Sequence, residues 1–518
     1  MSTTNRNQWF RYAASGRRLL YNGNPFTVRL YYESLFLCSM QASDFEVVIG
    51  LEVHAQLRTA TKLFCGDTIA YGAEPNTQVS PITLAHPGTL PYLNEAAVAL
   101  ALQLCLATHC QIERYNYFAR KNYMYPDLPK GYQVSQHTTP IGVGGYVTLT
   151  VNGTLKRIPL NRIHIEEDAG KSIHDKYDDA SCIDYNRAGT PLVEIVTEPA
   201  ITSADDAFAF LTELRRLVRW LNVCDGNMEE GSLRCDANIS VRPKSTTTLG
   251  TKVEVKNLNS IRNVKKAIEY ETERMISLRL KGETIVQQTR SFDAATDTTF
   301  AVRDKEEAND YRYFPDPDVA PFILSEATIE AAKANLPELP ETLYQRYLAL
   351  GLSDYDAQQL IADKPTADYF ETLLQHTSHV KAAANWLNGP VKQYLNEHAI
   401  AIDAIAVTPA RLADIIAIVA NDTVSFSTAA TKLFPYLCTH ITLSAVDAVT
   451  QLQLVQEKNT DVLAQWVNDV LAAMPDKVAE YKKGKKGLIG LFVGEVKKRS
   501  KGQADPKLVT ALLEEKLK

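Results

Sequence analysis

Residues Glu46–Arg58 read EVVIGLEVHAQLR, and the stretch alternates from end to end. Val47, Ile49, Leu51, Val53, Ala55 and Leu57 fall on one side; Val48, Gly50, Glu52, His54, Gln56 and Arg58 fall on the other. A β-strand sends successive side chains to opposite faces, so this pattern predicts a strand with one core face. The second face carries a carboxylate and an imidazole two residues apart, side by side. Taken singly, that is a solvated polar face. Taken with the acids downstream, it is a preorganised pair of metal-ligand or acid–base groups.

Working outward, 518 residues allow two to four domains and a large core. The composition, 45% hydrophobic and 22% charged, is that of a globular chain, and no apolar run is long enough to span a bilayer. Eight cysteines form no CxxC pair, which argues for free thiols in a reducing compartment and against a structural zinc site. A net charge of −6 excludes a globally basic nucleic-acid binder. The C-terminal stretch YKKGKKGLIGLFVGEVKKRSKG is locally basic, with Lys482, Lys483, Lys485, Lys486, Lys497, Lys498, Arg499 and Lys501 against Glu495. It reads either as a solvated lysine-rich helix end or as a phosphate-binding surface.

The first 39 residues hold Arg6, Arg11, Arg17, Arg18 and Arg29 but one acid, Glu33. They read as an organellar targeting peptide or as an upstream start assigned in error. Met40, directly before QASDFEVVIGLEVH, favours the second. Residues 1–44 are set aside as an extension.

From 45 to 330 the pattern mixes strands, turns and a few helices. EAAVALALQLCL (95–106) reads as a buried helix, and GYVTLTVNGTLKRIPL as a hairpin about Asn152-Gly153. Ser260 caps a helix whose stripe is Ile261, Val264, Ile268, Met275 and Leu278. The expected class is α+β with an antiparallel-rich first domain. The Pro-rich segments at 314–321 and 336–341 mark a change, and beyond about 330 the chain reads as helical. The expected division is a helical linker region over 331–368 and a helical tail over 369–518.

The chemistry-bearing residues lie in the first domain: Glu52 and His54, then Glu166, Glu167 and Asp168 in RIHIEED, Glu194 in TPLVEIV, Glu229 and Glu230, and Glu254 in KVEVK. Each acid taken singly suits an ion pair with a nearby Arg or Lys. Several acids in apolar strand contexts are costly unless paired or metal-bound. Oxygen-rich sites with one imidazole suit Mg²⁺ or Mn²⁺ better than zinc. Arg120, Lys121, Asn122, Arg162 and Lys171 supply cationic and amide partners of the kind used in phosphoryl transfer. EEDAGKS fails as a P-loop because its first glycine position is Ile165; GVGG (142–145) reads as turn geometry; and no GxSxG occurs.

The motifs VIGLEVHAQL, GAEPN, ARKNYMYPDLPKGYQ, RIHIEEDAGKS, DYNRAGTPLVEIVTEP, MEEGSLRCDANIS, EVKNLNS, DYRYFPDPD, NWLNG and VGEVKKRSKGQADPKLVTALL together resemble the GatB family, the B subunits of GatCAB-type tRNA-dependent amidotransferases. The resemblance covers about 45 to 518. It implies a kinase-like catalytic cradle, a helical domain and a small all-α YqeY-like tail. It implies a carbon–nitrogen ligase using ATP and Mg²⁺ to phosphorylate the side-chain carboxylate of Glu-tRNA(Gln) or Asp-tRNA(Asn). Ammonia, drawn from glutamine by a GatA-like subunit, then gives Gln-tRNA(Gln) or Asn-tRNA(Asn); a GatC-like small subunit completes the heterotrimer. By position, Glu52, His54, Glu167, Glu194 and Glu254 look like metal ligands, Glu166 being a close second choice, with Glu52, His54, Glu167 and Lys121 catalytic. Lys121, Asn122, Arg162 and Glu166 look like nucleotide or carboxylate binders, and the basic tail a tRNA grip. Adjacent Glu166 and Glu167 should face opposite ways. A bacterial cytoplasmic setting is implied, or the mitochondrial matrix if 1–39 is a targeting peptide.

Overall fold

The computed structural model describes residues 40–151, 154–174, 176–304, 311–457, 459–500 and 502–518. The N-terminal extension through residue 39, the Asn152-Gly153 hairpin tip and Lys501 lie outside them. The chain divides into two compact units, one ending at Leu339 and one beginning at Pro340. The first unit runs past the expected limit of 330 because Ile329 is buried in its core and Leu336 and Leu339 pack against it.

A thirteen-stranded sheet organises the first unit. Its main strands are β1 (Phe45–Gln56), β2 (Ala119–Asn122), β3 (Tyr132–Ser135), β4 (Tyr146–Val151), β5 (Thr154–Glu167), β6 (Pro191–Thr197), β7 (Leu233–Pro243), β8 (Val253–Lys256), β9 (Gln288–Asp293), β10 (Thr298–Asp304) and β11 (Phe314–Pro315). They lie in the order β10-β9-β8-β7-β1-β6-β5-β3-β2-β11, with β4 paired to β5 as the expected hairpin. Only the β8–β9 pairing is parallel among these. β1 is central, and Ile49, Leu51, Val53 and Ala55 are fully buried on one face. Burial of Ile49, Leu51 and Val53 contributes roughly 1.5–3 kcal/mol each. The alternation fails only at the entry to β1, where Val47 is half-buried and Val48 buried.

Three helices supply much of the rest of this core: α1 (Glu95–Ala107), α2 (Ala204–Trp220) and α3 (Ile261–Leu280). Each starts on a side-chain cap, Asn94, Ser203 and Ser260, which satisfies a backbone N–H that the helix leaves open. Val264, Ile268 and Met275 of the predicted α3 stripe are buried. Covering one face of the sheet with helices leaves the polar face of β1 and its neighbours free to line a cavity.

The second unit is helical. Asp363 caps Lys364–Leu374 and Thr408 caps Pro409–Ala420, each with proline in the first turn. Leu463, Val467, Phe492, Val496, Val509 and Leu513 form a separate small core near the C-terminus.

Of the GVGG run, Gly142-Val143 is a short strand paired with Gln111-Ile112 and with β5, and only Gly144 and Gly145, both at positive φ, make the turn into β4. Gly145 sits at φ +86°, and a β-carbon there would lie 2.4 Å from the Thr108 carbonyl oxygen at the C-terminal end of α1. Gly145→Ala is therefore expected to destabilise the first unit by about 2 kcal/mol or more. Thermal denaturation measures this, and a loss below about 0.5 kcal/mol, the size of a neutral surface change, would show that the contact relaxes freely.

Candidate active site

The site follows from strand register. His54 on β1 lies directly opposite Glu194 on β6, and Glu194 lies directly opposite His164 on β5. On the other side His54 faces Arg234 of β7, and Glu52 faces Asp236. Directly paired residues project to one face with β-carbons about 5 Å apart. Four strands therefore present the row His164, Glu194, His54, Arg234. Parity adds Glu166 and Arg162 from β5, two residues either side of His164. β2 and β3 add Lys121, Gln133 and Ser135, and β8 adds Glu254 and Lys256. Together they line a cavity of about 610 Å³, closed on one side by Tyr123, Tyr311, Tyr313 and His137.

One group converges tightly. A donor atom from each of His54, Glu166 and Glu194 lies within 4.8 Å of the others. His54 Nε2 is 3.6 Å from Glu166 Oε1 and 3.5 Å from Glu194 Oε2. Burial pushes the His54 imidazole down, but the Glu194 hydrogen bond and the Glu194 and Glu166 charges outweigh it and leave its pKa raised. Burial pushes Glu194 up, and His54 and His164 more than reverse this, holding it well below the usual carboxylate range. These three residues could hold a divalent cation.

A second group lies along β1, β7 and β8. Glu52 Oε1 accepts from Asn238 Nδ2 at 2.8 Å. Lys256 Nζ lies 2.5 Å from Asp236 Oδ2 and 3.2 Å from Glu254 Oε1. Burial alone would lower this lysine, yet Asp236 and Glu254 raise it. Thr289 Oγ1 also donates to Glu254 Oε2 at 2.8 Å. The expected ligands Glu52 and Glu254 therefore share the cavity with His54 and Glu194 but stand in a separate, lysine-braced group.

Glu167 is a correction. It is next to Glu166 on β5 and so turns the opposite way, toward a smaller cavity of about 130 Å³ with Lys62 and Lys130. There Lys130 Nζ donates to its Oε2 at 2.6 Å, and the Val134 N–H to Oε1 at 2.9 Å. Glu166 takes the place expected for it. Asn122 is a second correction: its Nδ2 donates to the Tyr311 and Arg312 carbonyls at 3.2 and 2.8 Å, pinning that segment. Lys121, one residue earlier, faces the cavity, its Nζ 4.9 Å from the Tyr311 ring centroid. Arg162 also lines the cavity, and its Nε is buried with no hydrogen-bond partner.

Four features are not singled out by the sequence analysis as parts of the site: His164, Arg234, Asp236 and the lining residues Tyr311 and Tyr313. The signal for His164 was present, since it shares parity with Arg162 and Glu166. For Arg234 and Asp236 it was the alternation in LRCDANIS. Tyr313 stacks on His137 at 4.2 Å, and its phenol is pushed up to about 12, first by burial and then by Glu166.

In the second unit, Lys482, Lys483, Lys485, Lys486, Lys498 and Arg499 are exposed, while Lys497 is half-buried and bonds Ser427 Oγ. Lys485 pairs with Glu480 at 3.0 Å, Arg499 with Asp469 at 3.3 Å, and Lys486 lies over the Tyr481 ring. Among the described residues, Lys482, Lys483 and Lys498 form no ion pair.

Residues 47–330 match the family model described as the GatB/GatE catalytic domain, and residues 368–517 match the GatB domain model named for YqeY. A protein of Geobacter sulfurreducens is 47% identical over 479 residues, 92% of this chain and 100% of that protein. One from Trichlorobacter lovleyi is 48% identical over 474 residues, 91% of this chain and 99% of its own length. One from Cupriavidus pinatubonensis is 48% identical over 483 residues, 92% of this chain and all of its own. All three carry the name of the B subunit of an aspartyl/glutamyl-tRNA(Asn/Gln) amidotransferase. Among the described residues no helix is long and apolar enough to cross a membrane.

Asp168 anchors the cavity edge. Its Oδ2 accepts from Arg234 Nη2 at 2.9 Å and from Gln56 Nε2 at 2.8 Å. Burial raises the carboxyl, but Arg234 and Arg187 outweigh it and hold it below the ordinary value. A carboxylate with a depressed folded pKa contributes stability above its unfolded value, about 3.9, which is lost as pH falls through the folded value. Asp168→Asn should cost about 3 kcal/mol at pH 7 by leaving Arg234 unpaired. It should also flatten the acid limb of the stability–pH curve, as measured by urea denaturation; an unchanged limb would assign that limb to other carboxylates.

Proposed function

The chain belongs to the GatB/GatE family, and from that premise we propose that it is the B subunit of a glutamine-dependent tRNA amidotransferase. In this reading it phosphorylates the side-chain carboxylate of Glu-tRNA(Gln) or Asp-tRNA(Asn) with ATP. Ammonia then converts the acyl phosphate to Gln-tRNA(Gln) or Asn-tRNA(Asn). The observation that carries the reading is one cavity holding His54, Glu166 and Glu194 together with Lys121 and Arg162.

A carboxylate resists ammonia because oxide is a poor leaving group. Attack of one carboxylate oxygen on the γ-phosphorus of ATP forms the C–O–P linkage and releases ADP. Attack of ammonia on the carbonyl carbon then expels phosphate and loses a proton. Both steps gather negative charge on phosphoryl oxygens, and fixed cations aimed at that charge lower the barrier without reorganising. Lys121 meets the requirement, since its Nζ is held over Tyr311 and Tyr123 at 4.9 and 5.8 Å from the ring centroids. Arg162, from β5, converges on the same space.

The donor set of His54, Glu166 and Glu194 fits a divalent cation such as Mg²⁺, because clustered carboxylates repel one another without one. Bound there, the cation supplies Lewis-acid polarisation of phosphoryl and carboxyl oxygens. Glu52, Asp236 and Glu254, tied to Asn238 and Lys256, keep the adjoining wall ordered.

In this reading a separate GatA-like glutaminase subunit supplies the ammonia, with a GatC-like small subunit in the same complex. The free thiols Cys65, Cys105, Cys110, Cys182, Cys224, Cys235 and Cys438 suit a reducing compartment, the bacterial cytoplasm in this reading. The basic helix ends of the second unit suit tRNA phosphates.

The purified complex should convert Glu-tRNA(Gln) or Asp-tRNA(Asn) to the amide with ATP and glutamine, forming ADP in step. His54→Ala should lower amidation about a hundredfold or more while glutamine hydrolysis persists. Amidation at native rate in that variant would remove the cavity from the reaction. Changing Lys482, Lys483 and Lys498 together to Glu should weaken tRNA binding and reduce the slope of log affinity against log salt by about 2–3. An unchanged slope would move the tRNA contact elsewhere.

A further inference from the structure

The cavity holds a ring pair with no part in the phosphoryl transfer. His137 and Tyr313 stack with centroids 4.2 Å apart and planes 9° from parallel. Both line the cavity that Lys121 and Arg162 also line. His137 is exposed, and Tyr313 is half-buried. Among the described residues, Tyr313 is the one ring partner of His137, and the imidazole makes no hydrogen bond or ion pair. A histidine kept for its own packing is buried or satisfies its nitrogens with protein groups; this one does neither.

Both rings are fixed by the backbone that carries them. Gln136, next to His137, is fully buried. Its N–H donates to the Ile165 carbonyl at 3.1 Å, its Nε2 donates to Asn116 Oδ1 at 3.1 Å, and its Oε1 accepts from the Ile165 N–H at 3.1 Å. His137 has the parity of Gln133 and Ser135 on β3, and all three line the cavity. On the other segment, the Asn122 N–H donates to the Tyr311 carbonyl at 3.0 Å, and Asn122 Nδ2 adds its two bonds to Tyr311 and Arg312. Tyr313 follows directly and leads into β11. Desolvation, then Arg162, holds the His137 imidazole below its ordinary value, so at neutral pH it is an uncharged flat ring.

A fixed, uncharged ring with an open face is a stacking surface, because every base has a π-face and histidine accepts it as other aromatic side chains do. Both substrates of the proposed reaction carry adenine: ATP, and the 3′-terminal adenosine to which the amino acid is esterified. In each the base lies at the opposite end from the reacting group. A base held at His137 leaves the phosphoryl or carboxylate end to Lys121 and Arg162, whose charges reach the imidazole.

We propose that the His137–Tyr313 stack is the platform for the adenine base of a substrate, which lies as a third layer on the open face of His137. The inference rests on the amidotransferase reading. It makes His137 a substrate-binding residue that acts through its flat ring, so another flat ring replaces it and an aliphatic side chain does not.

The test uses the purified complex and 2-aminopurine, whose fluorescence falls when it stacks, placed in turn at the 3′-terminal position of the tRNA and in the nucleoside triphosphate. At least one probe should be quenched on binding to the native complex and to His137→Phe, and stay bright when bound to His137→Ala. The KM for that substrate should rise about 5–150-fold in His137→Ala, with kcat, the KM for the other substrate and glutamine hydrolysis unchanged. Quenching of the terminal probe assigns the base to tRNA, and quenching of the triphosphate probe assigns it to ATP. Quenching that is absent, or equal in the native complex and His137→Ala, in a complex that still amidates overturns the platform and leaves the amidotransferase reading standing. A native complex that neither amidates nor binds either probe removes that reading and this inference with it. His137→Ser takes the place of His137→Ala should that variant not fold.

Discussion

Glu194 stands between His54 and His164 because β6 is paired to β1 and β5 in one register, and the rest of the cavity depends on that register. A slip of one residue would turn Val193 and Ile195 into the cavity and Glu194 into the core. The apolar face forbids it: Leu51, Val53, Ile163, Ile165, Val193 and Ile195 are all buried at 0% exposure. At roughly 1.5–3 kcal/mol each, these side chains far outweigh the cost of gathering carboxylates on the opposite face. The hydrophobic face thus pins a polar arrangement that would not assemble by itself.

The cavity is close to balanced in charge. Glu52, Glu166, Asp168, Glu194, Asp236 and Glu254 line it, and so do Lys121, Arg162, Arg234, Lys252 and Lys256. The balance is uneven in space. Lys256 is bound to Asp236 and Glu254, and Arg234 to Asp168, so those cations are committed. The His54, Glu166 and Glu194 group instead shares the cavity with Lys121 and Arg162, neither of which forms an ion pair among the described residues. Such a site suits an anionic substrate on one side and a cation on the other, as the proposed transfer of a phosphoryl group to a carboxylate requires.

The second unit shows the same sorting of charge. Its basic run reads as uniform in the sequence, but neighbouring acids engage Lys485 and Arg499. Among the described residues, Lys482, Lys483 and Lys498 form no ion pair and are exposed at or near helix ends. Counting lysines overstates a phosphate-binding surface; their partners set its strength.

Much of this was legible from residues in order. Alternation in EVVIGLEVHAQLR gave the central strand and placed Glu52 and His54 on its polar face. Ser260 and the stripe after it gave α3, and parity said that Glu166 and Glu167 must part. What order along the chain could not supply was which acids meet, because that depends on register between strands distant in sequence. Glu167, with a motif as good as that of its neighbour, turned to Lys130; Asn122 spent its amide on Tyr311 and Arg312; His164, unremarked in RIHIEED, came to lie beside Glu194. Strand identity and face are local properties of a two-residue period, so the sequence determines them. Which side chains from seven strands share one space is decided only when the buried face locks those strands against one another.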